Sequence, residues 1–131
     1  MNGTITSAAA DITWDSESRV AFVRYKLDAR LGAGDGVLLV DALTGWIGTE
    51  ATPFAVVADA KELRGTDGHY RAHASKFFRR HRETAFIALL NMGPVIHIVV
   101  EMFRLGTGIQ LKAFGDEALA RAWLRTKGIA A

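Results

Sequence analysis

Residues 53–68 read PFAVVADAKELRGTDG, and this stretch decides the fold class. Phe54–Ala58 is a short, uninterrupted apolar run that starts after a proline and ends at Asp59, as expected of a buried β-strand. A polar loop, Lys61–Asp67, follows, and Asp67 is placed to cap the next helix. A buried strand that leads through a loop into a helix is typical of α/β proteins, so we expect a sheet covered by helices.

Downstream of this stretch the pattern alternates between helix and strand. Apolar residues at intervals of three and four predict a helix over Asp67–Arg82, and the apolar run Ala85–Met92 predicts a strand. The turn Gly93-Pro94 then starts a third helix over Val95–Leu105, although the β-branched run Val95–Val100 would also fit a strand.

The C-terminal part adds one more strand and one more helix. Ile109–Phe114 alternates between apolar and polar residues as a strand does, and Asp116 is placed to cap a last helix that ends near Lys127. Helical spacing predicts that this helix buries one stripe, made of Leu119, Ala122, Trp123 and Thr126.

Two strands, Ala10–Asp15 and Arg19–Lys26, precede the first helix and are predicted to form a hairpin. A glycine cluster at residues 32–36 then breaks the chain, and Asp35 is placed to cap a helix that runs to about Ile47. The order β-β-α-β-α-β-α-β-α predicts one α/β domain with a mixed sheet over residues 10–131, and we expect residues 1–9 to be a flexible segment.

The composition limits the classes of function. The 131 residues suit one domain, and a chain that is 50% hydrophobic and 23% charged is globular rather than disordered. A net charge of +2 does not suggest a nucleic-acid polycation, and the absence of cysteine excludes a thiol nucleophile, a disulfide and a cysteine zinc site. The start of the chain has no export signal and the longest uncharged run is too short for a transmembrane helix, so we expect a cytoplasmic protein.

Three stretches resemble the STAS domain, in particular its SpoIIAA-like branch of anti-sigma-factor antagonists. Residues 57–68 are similar to the strand and regulatory site of that family, residues 25–28 to an earlier strand end, and residues 114–124 to its closing helix. The resemblance implies a STAS-like fold and a non-catalytic regulatory module that binds a protein partner. Because such bacterial proteins also carry the CRAL-TRIO lipid-transfer label, it implies as an alternative a carrier of a small apolar or lipid-like ligand.

The resemblance also implies a regulatory loop, which comprises Asp59, Thr66, Asp67 and Gly68. Gly68 stands where the phosphorylatable antagonists have serine, and glycine has no hydroxyl group. We therefore expect the serine phosphorylation switch to be absent, with Thr66 as the nearest residue that could replace it.

Several candidate chemistries fit the sequence less well. The glycine cluster lacks the spacing of nucleotide-binding loops, and no Gly-x-Ser-x-Gly motif is present; Ser75 lies near His73 without an acid to orient it. Asp59 and Asp67 fit turn and cap positions better than an acid–base pair.

His69 and His73 have metal-ligand spacing, but they share a basic helix face, which consists of His69, His73, Lys76 and Arg80. We predict no catalytic residue, no metal and no cofactor. We also predict no nucleic-acid binding, because the basic helix face lacks exposed aromatic residues on which bases could stack.

The third helix has more apolar surface than one sheet can cover. Its polar residues, His97, Glu101 and Arg104, form one narrow stripe. The remaining surface is predicted to meet a protein partner, a second copy in a homodimer, a small apolar ligand or neighbouring elements of the fold. The residues assigned to this surface are Val95, Ile98, Val99, Met102 and Phe103.

Overall fold

The computed structural model describes residues 2–131, which form two β-sheets and four helices. The strands are β1 (Gly3–Thr6), β2 (Ala10–Asp15), β3 (Val20–Tyr25), β4 (Ala29–Leu31), β5 (Phe54–Asp59), β6 (Leu63–Thr66), β7 (Ala85–Leu90) and β8 (Gln110–Phe114). The helices are α1 (Ala33–Ile47), α2 (Gly68–Arg80), α3 (Pro94–Thr107) and α4 (Glu117–Arg125).

The main sheet has six strands in the order β1-β2-β3-β5-β7-β8. β1, β2 and β3 pair antiparallel, whereas β3, β5, β7 and β8 are parallel. In the centre, Val57 of β5 lies between Phe22 of β3 and Ala88 of β7. The predicted hairpin and the mixed α/β sheet are confirmed.

Helices cover the two faces of this sheet unequally. Val56 and Ile87 pack in one core cluster with residues of α1 and α2, and α3 packs against the same cluster. Val57 and Ala88, one position further along their strands, pack in a second cluster with residues of α4. Strand β7 and strand β5 up to its last residue, Asp59, are apolar because both of their faces are covered.

The helix starts follow local sequence signals. Asp67 caps α2 by accepting the Tyr70 N–H at 2.8 Å, and Asp116 caps α4 by accepting the Leu119 N–H at 2.9 Å, as predicted. The β-branched segment after Pro94 is helical, as predicted. Asp35 is not the cap of α1: the helix begins at Ala33, and the Asp35 carboxylate accepts the Gly32 N–H from within the first turn.

Two parts of the chain differ from the sequence prediction. Residues 3–6, placed in a flexible segment, form the edge strand β1 beside β2. The predicted loop 61–67 contains β6, which pairs in parallel with β4 in a second, two-stranded sheet. These two strands build a wall beyond the carboxyl end of β5.

The predicted inward stripe of α4 is wrong by one position. Leu119 is exposed, as are Ala122 and Thr126, whereas Ala120 and Leu124 are buried. Trp123 is half-buried, with its ring centroid 6.2 Å from that of Phe86 and 5.6 Å from that of Phe114.

Candidate interaction surface and ligand cavity

Helix α3 has two apolar faces that point in opposite directions. Its inner face packs on the core through Ile96, Val100, Phe103 and Thr107, which follow one another at intervals of four, three and four residues. The outer face forms what we call the α3 stripe, which consists of Val95 (70% exposed), Ile98 (65%), Met102 (70%) and Leu105 (76%). The structure therefore separates the surface predicted from sequence into two parts, because Val99 and Phe103 are half-buried.

A short polar stripe separates these two faces on one side of α3. Arg104 donates to the Glu101 carboxylate at 2.9 Å, and His97 is exposed one turn earlier. This hydrogen bond lowers the pKa of Glu101 and raises that of Arg104. The pair is internally neutral, so α3 itself presents little net charge to a binding partner.

A cavity of about 100 Å³ lies between the inner side of α3, the N-terminal half of α2 and the carboxyl end of the sheet. Its lining is almost entirely apolar. The sheet contributes Val56, Ala58, Ile87 and Leu89, and the helices contribute Ala74, Phe78, Ile96, Val99, Val100 and Phe103. Ala60 and Leu63, on either side of the start of β6, close one end.

Two tyrosines place polar atoms in this apolar wall. Tyr25 and Tyr70 both line the cavity and are joined by a side-chain hydrogen bond. Burial raises the pKa of Tyr25 to about 12 and raises the pKa of Tyr70 well above its ordinary value, to which the nearby Tyr25 and Asp35 contribute. Both side chains are thus neutral at physiological pH, and the bond between them engages one of the two O–H groups as donor.

Arg71 is the cation of the cavity lining. Its Nη1 donates to the main-chain oxygen of Thr66 and, at 3.0 Å, to the Thr66 Oγ1. Arg71 is exposed although it lines the cavity, so the cavity approaches the surface beside it. Among residues 2–131, no carboxylate forms an ion pair with Arg71.

Sequence reasoning missed Arg71, although a signal for it exists. Arg71 lies three and seven residues before Ala74 and Phe78, so helical spacing puts it beside the buried face of α2. A cation at such a position is easily taken for a surface residue until the opposite wall of the cavity is known.

The predicted regulatory residues fall into two groups. Thr66, Asp67 and Gly68 are consecutive at the junction of β6 and α2, so Thr66 lies in a strand rather than a loop, and Gly68 is the first residue of the helix. Asp59 ends β5, where its Oδ1 accepts the Lys61 N–H and the Asn91 side-chain amide, both at 3.1 Å. Within the described chain no hydrogen bond joins Asp59 to the other three.

The predicted basic face is exposed along the length of α2. His73, Lys76 and Arg80 border a groove against α1, where they face Val40 and Thr44. The described residues contain no cluster of three His, Cys, Asp or Glu side chains that could hold a metal ion. They also contain no helix that is both long enough and apolar enough to cross a membrane.

Comparison with known proteins identifies the fold. No family model matches the sequence, and neither does any curated protein. Among solved structures, an uncharacterized DUF3478-family protein with a SpoIIAA-like fold from Shewanella loihica PV-4 matches with a TM-score of 0.64 and 18% identity, over 95% of this chain and 92% of that one.

Two further structures agree with this assignment. The anti-sigma factor antagonist SpoIIAA in its unphosphorylated form matches with a TM-score of 0.54 and 14% identity, over 98% of this chain and 100% of that one. Apo-SiaC from Pseudomonas aeruginosa matches with a TM-score of 0.61 and 8% identity, over 86% and 98%. The chain therefore has the SpoIIAA-like fold predicted from its resemblance to the STAS domain.

Proposed function

We propose that this chain is a regulatory module that acts by binding a protein partner, without catalysis. The observation that carries the proposal is the α3 stripe, whose four apolar side chains are each about two-thirds or more exposed on one face of one helix. Single exposed apolar residues are ordinary, but a contiguous apolar patch with polar residues around it is characteristic of an interaction site.

The charges beside the stripe indicate the chemistry of the partner. Arg79 of α2 donates to the Gly106 carbonyl at 3.3 and 3.4 Å, which places a guanidinium group beside the C-terminal end of the stripe. Arg71 lies further towards the N-terminus of α2, and within the described residues neither arginine is in an ion pair. A complementary partner would present apolar side chains flanked by carboxylates.

The fold supports the regulatory part of the proposal. SpoIIAA is described as an anti-sigma factor antagonist, and the resemblance to the STAS domain implies partner contacts near residues 66–73. In this chain that segment is the start of α2, next to α3. Gly68 carries no hydroxyl group, so we propose that binding is controlled by something other than phosphorylation of a serine at this position.

The arrangement of nucleophilic and basic side chains supports a non-catalytic role. Ser75 and His73 are two residues apart on one helix, a spacing at which side chains do not face each other. The two tyrosines of the cavity are neutral, and their hydroxyl groups are joined to each other. We also propose that the protein is located in the cytoplasm, since a sequence without cysteine is compatible with a reducing compartment.

The test is affinity capture from an extract of the native cells with matched charge variants. Ile98→Glu and Met102→Glu each place a carboxylate in the stripe, whereas Leu119→Glu places one at a 58% exposed apolar position of α4, on the other face of the sheet. We expect one partner to be retained by the wild type and by the Leu119 variant, and lost from both α3 variants. Identical captured proteins for all four baits would refute the proposal.

A second function, a carrier of a small apolar ligand, is favoured by the cavity beneath α3. A cavity that is nearly free of polar atoms does not hold ordered water well, because a water molecule needs two to four polar partners. Mass spectrometry of an organic extract of the purified protein tests this function. We expect a small apolar molecule that is depleted when Ala60→Val narrows the cavity, and equal recovery from both proteins would contradict it.

A further inference from the structure

We propose that the cavity binds a short-chain carboxylate, with its alkyl chain in the apolar interior and its carboxylate on Arg71. This inference rests on the ligand-carrier function proposed above and adds the chemical class of the ligand. Three features carry it: the volume of the cavity, the free donors of Arg71 and the apolar lining of the interior.

The volume limits the length of the alkyl chain. An engineered apolar cavity of about 150 Å³ binds benzene, so a cavity of about 100 Å³ has room for roughly four carbon atoms. With the carboxyl carbon at the opening, the ligand is an acid of about five carbons, and pentanoate is the simplest probe.

Arg71 has donors available for the carboxylate. A guanidinium group has five N–H donors, and among residues 2–131 only Nη1 of Arg71 is engaged, by the two oxygen atoms of Thr66. Nη2 and Nε remain free, which is the pair of donors that a carboxylate needs for a two-point interaction. Thr66 holds the guanidinium group in place, so little side-chain freedom remains to be lost on binding.

One carboxylate of the protein lies near this site and limits the charge of the ligand. Asp67 accepts the Tyr70 N–H through Oδ1 at the start of α2. Within the described residues it forms no ion pair with Arg71. A single negative charge on the ligand suits one arginine beside one aspartate better than a phosphate group does.

The far wall of the cavity does not require a polar ligand. The hydroxyl groups of Tyr25 and Tyr70 bond to each other, and away from these two side chains, Thr66 and Arg71 the lining of the cavity is apolar. A ligand hydroxyl or amide group placed against this apolar lining would lack a partner, at a cost in binding free energy. The buried end of the ligand should therefore be an unsubstituted alkyl group.

The experiment compares pentanoate with 1-pentanol, an uncharged molecule with the same chain, by isothermal titration calorimetry on the full chain. We expect wild-type protein to bind pentanoate at least tenfold more tightly than 1-pentanol. Arg71→Leu should lower the affinity for pentanoate at least tenfold and leave that for 1-pentanol unchanged. Arg71→Lys, which keeps the charge but loses the two-point geometry, should give an intermediate affinity.

Arg80→Leu is the matched control, because Arg80 is an exposed α2 arginine that does not line the cavity, and it should leave both affinities unchanged. If both molecules bind equally and Arg71→Leu has no effect, the carboxylate inference is wrong while the carrier function stands. If neither molecule binds the folded wild type, both are wrong. Circular dichroism of each variant confirms that it is folded.

Discussion

The two faces of α3 should respond very differently to truncation. Ile96 is 4% exposed and packs on the small sheet, whereas Met102, six residues later, is 70% exposed. We expect Ile96→Ala to lower the free energy of unfolding by about 3–4 kcal/mol, because buried isoleucine truncations cost about 2–5 kcal/mol. The low end of that range does not apply because Ile96 borders the existing cavity, and truncation would enlarge that void.

Met102→Ala is the matched control. An exposed side chain removed without cavity formation changes stability by about 0.5 kcal/mol or less. For a chain of this length 1 kcal/mol corresponds to about 4 °C, so the midpoint of thermal unfolding should fall by roughly 12–16 °C for Ile96→Ala and by at most about 2 °C for Met102→Ala.

Thermal and urea denaturation followed by circular dichroism, at low protein concentration, give the two values. Comparable losses for the two variants would refute the orientation of α3 described above. A loss for Met102→Ala that appears only at high protein concentration would instead mean that the outer face is buried between molecules.

Four further outcomes are expected. If the α3 stripe meets a second copy of the chain, sedimentation should detect concentration-dependent dimers of the wild type and folded monomers of Met102→Glu, because a charge in a two-fold interface would be buried twice; a wild type that is always monomeric contradicts the dimer. After incubation with cytosolic kinases and ATP, the protein should gain no phosphate at the position of the family's serine, since Gly68 has no hydroxyl group; intact mass that shows a stoichiometric phosphate on Thr66 would overturn the expectation that the switch is absent. Burial and Arg80 lower the pKa of His81, so the unfolded state takes up the proton first, and stability should fall as the pH drops below about 6.5. His81→Leu should flatten that loss. Trp123→Ala should cost about 2–3 kcal/mol by urea denaturation, less than a fully buried ring would, and no change would place the ring in solvent.

Sequence predicts well those strands and helices whose apolar pattern and flanking residues lie within one short segment. Strand β5 is a closed apolar run between Pro53 and Asp59, and α2 begins at a capping aspartate with its apolar residues in register. Strands β4 and β6 have no such signal, because each is only three or four residues long and is stabilised by pairing across more than 30 residues of chain. Pairing of this kind depends on the assembled fold, so neither segment has a sequence pattern that predicts a strand.

Helix α4 shows why a helical pattern alone does not fix orientation. Alanine occurs at positions 118, 120 and 122, so a stripe through Leu119 and a stripe through Leu124 both have apolar residues at helical spacing. Contact of Trp123 with Phe86 and Phe114 selects the second stripe. The cavity is still less predictable, because it arises where side chains from many distant segments of the chain fail to fill a volume.

The two proposed binding events share one helix, and this has a thermodynamic consequence. Val99 and Phe103 of α3 line the cavity, and Ile98 and Met102, their immediate neighbours in the chain, form the stripe that a partner would contact. If ligand binding moves α3 enough to change the affinity for the partner, then partner binding must change the affinity for the ligand by the same factor. If α3 does not move, the two affinities are independent, and the cavity and the stripe serve separate purposes. The packing of α3 against α2 through Phe78 and Phe103, whose ring centroids are 5.9 Å apart, therefore determines whether the ligand controls partner binding.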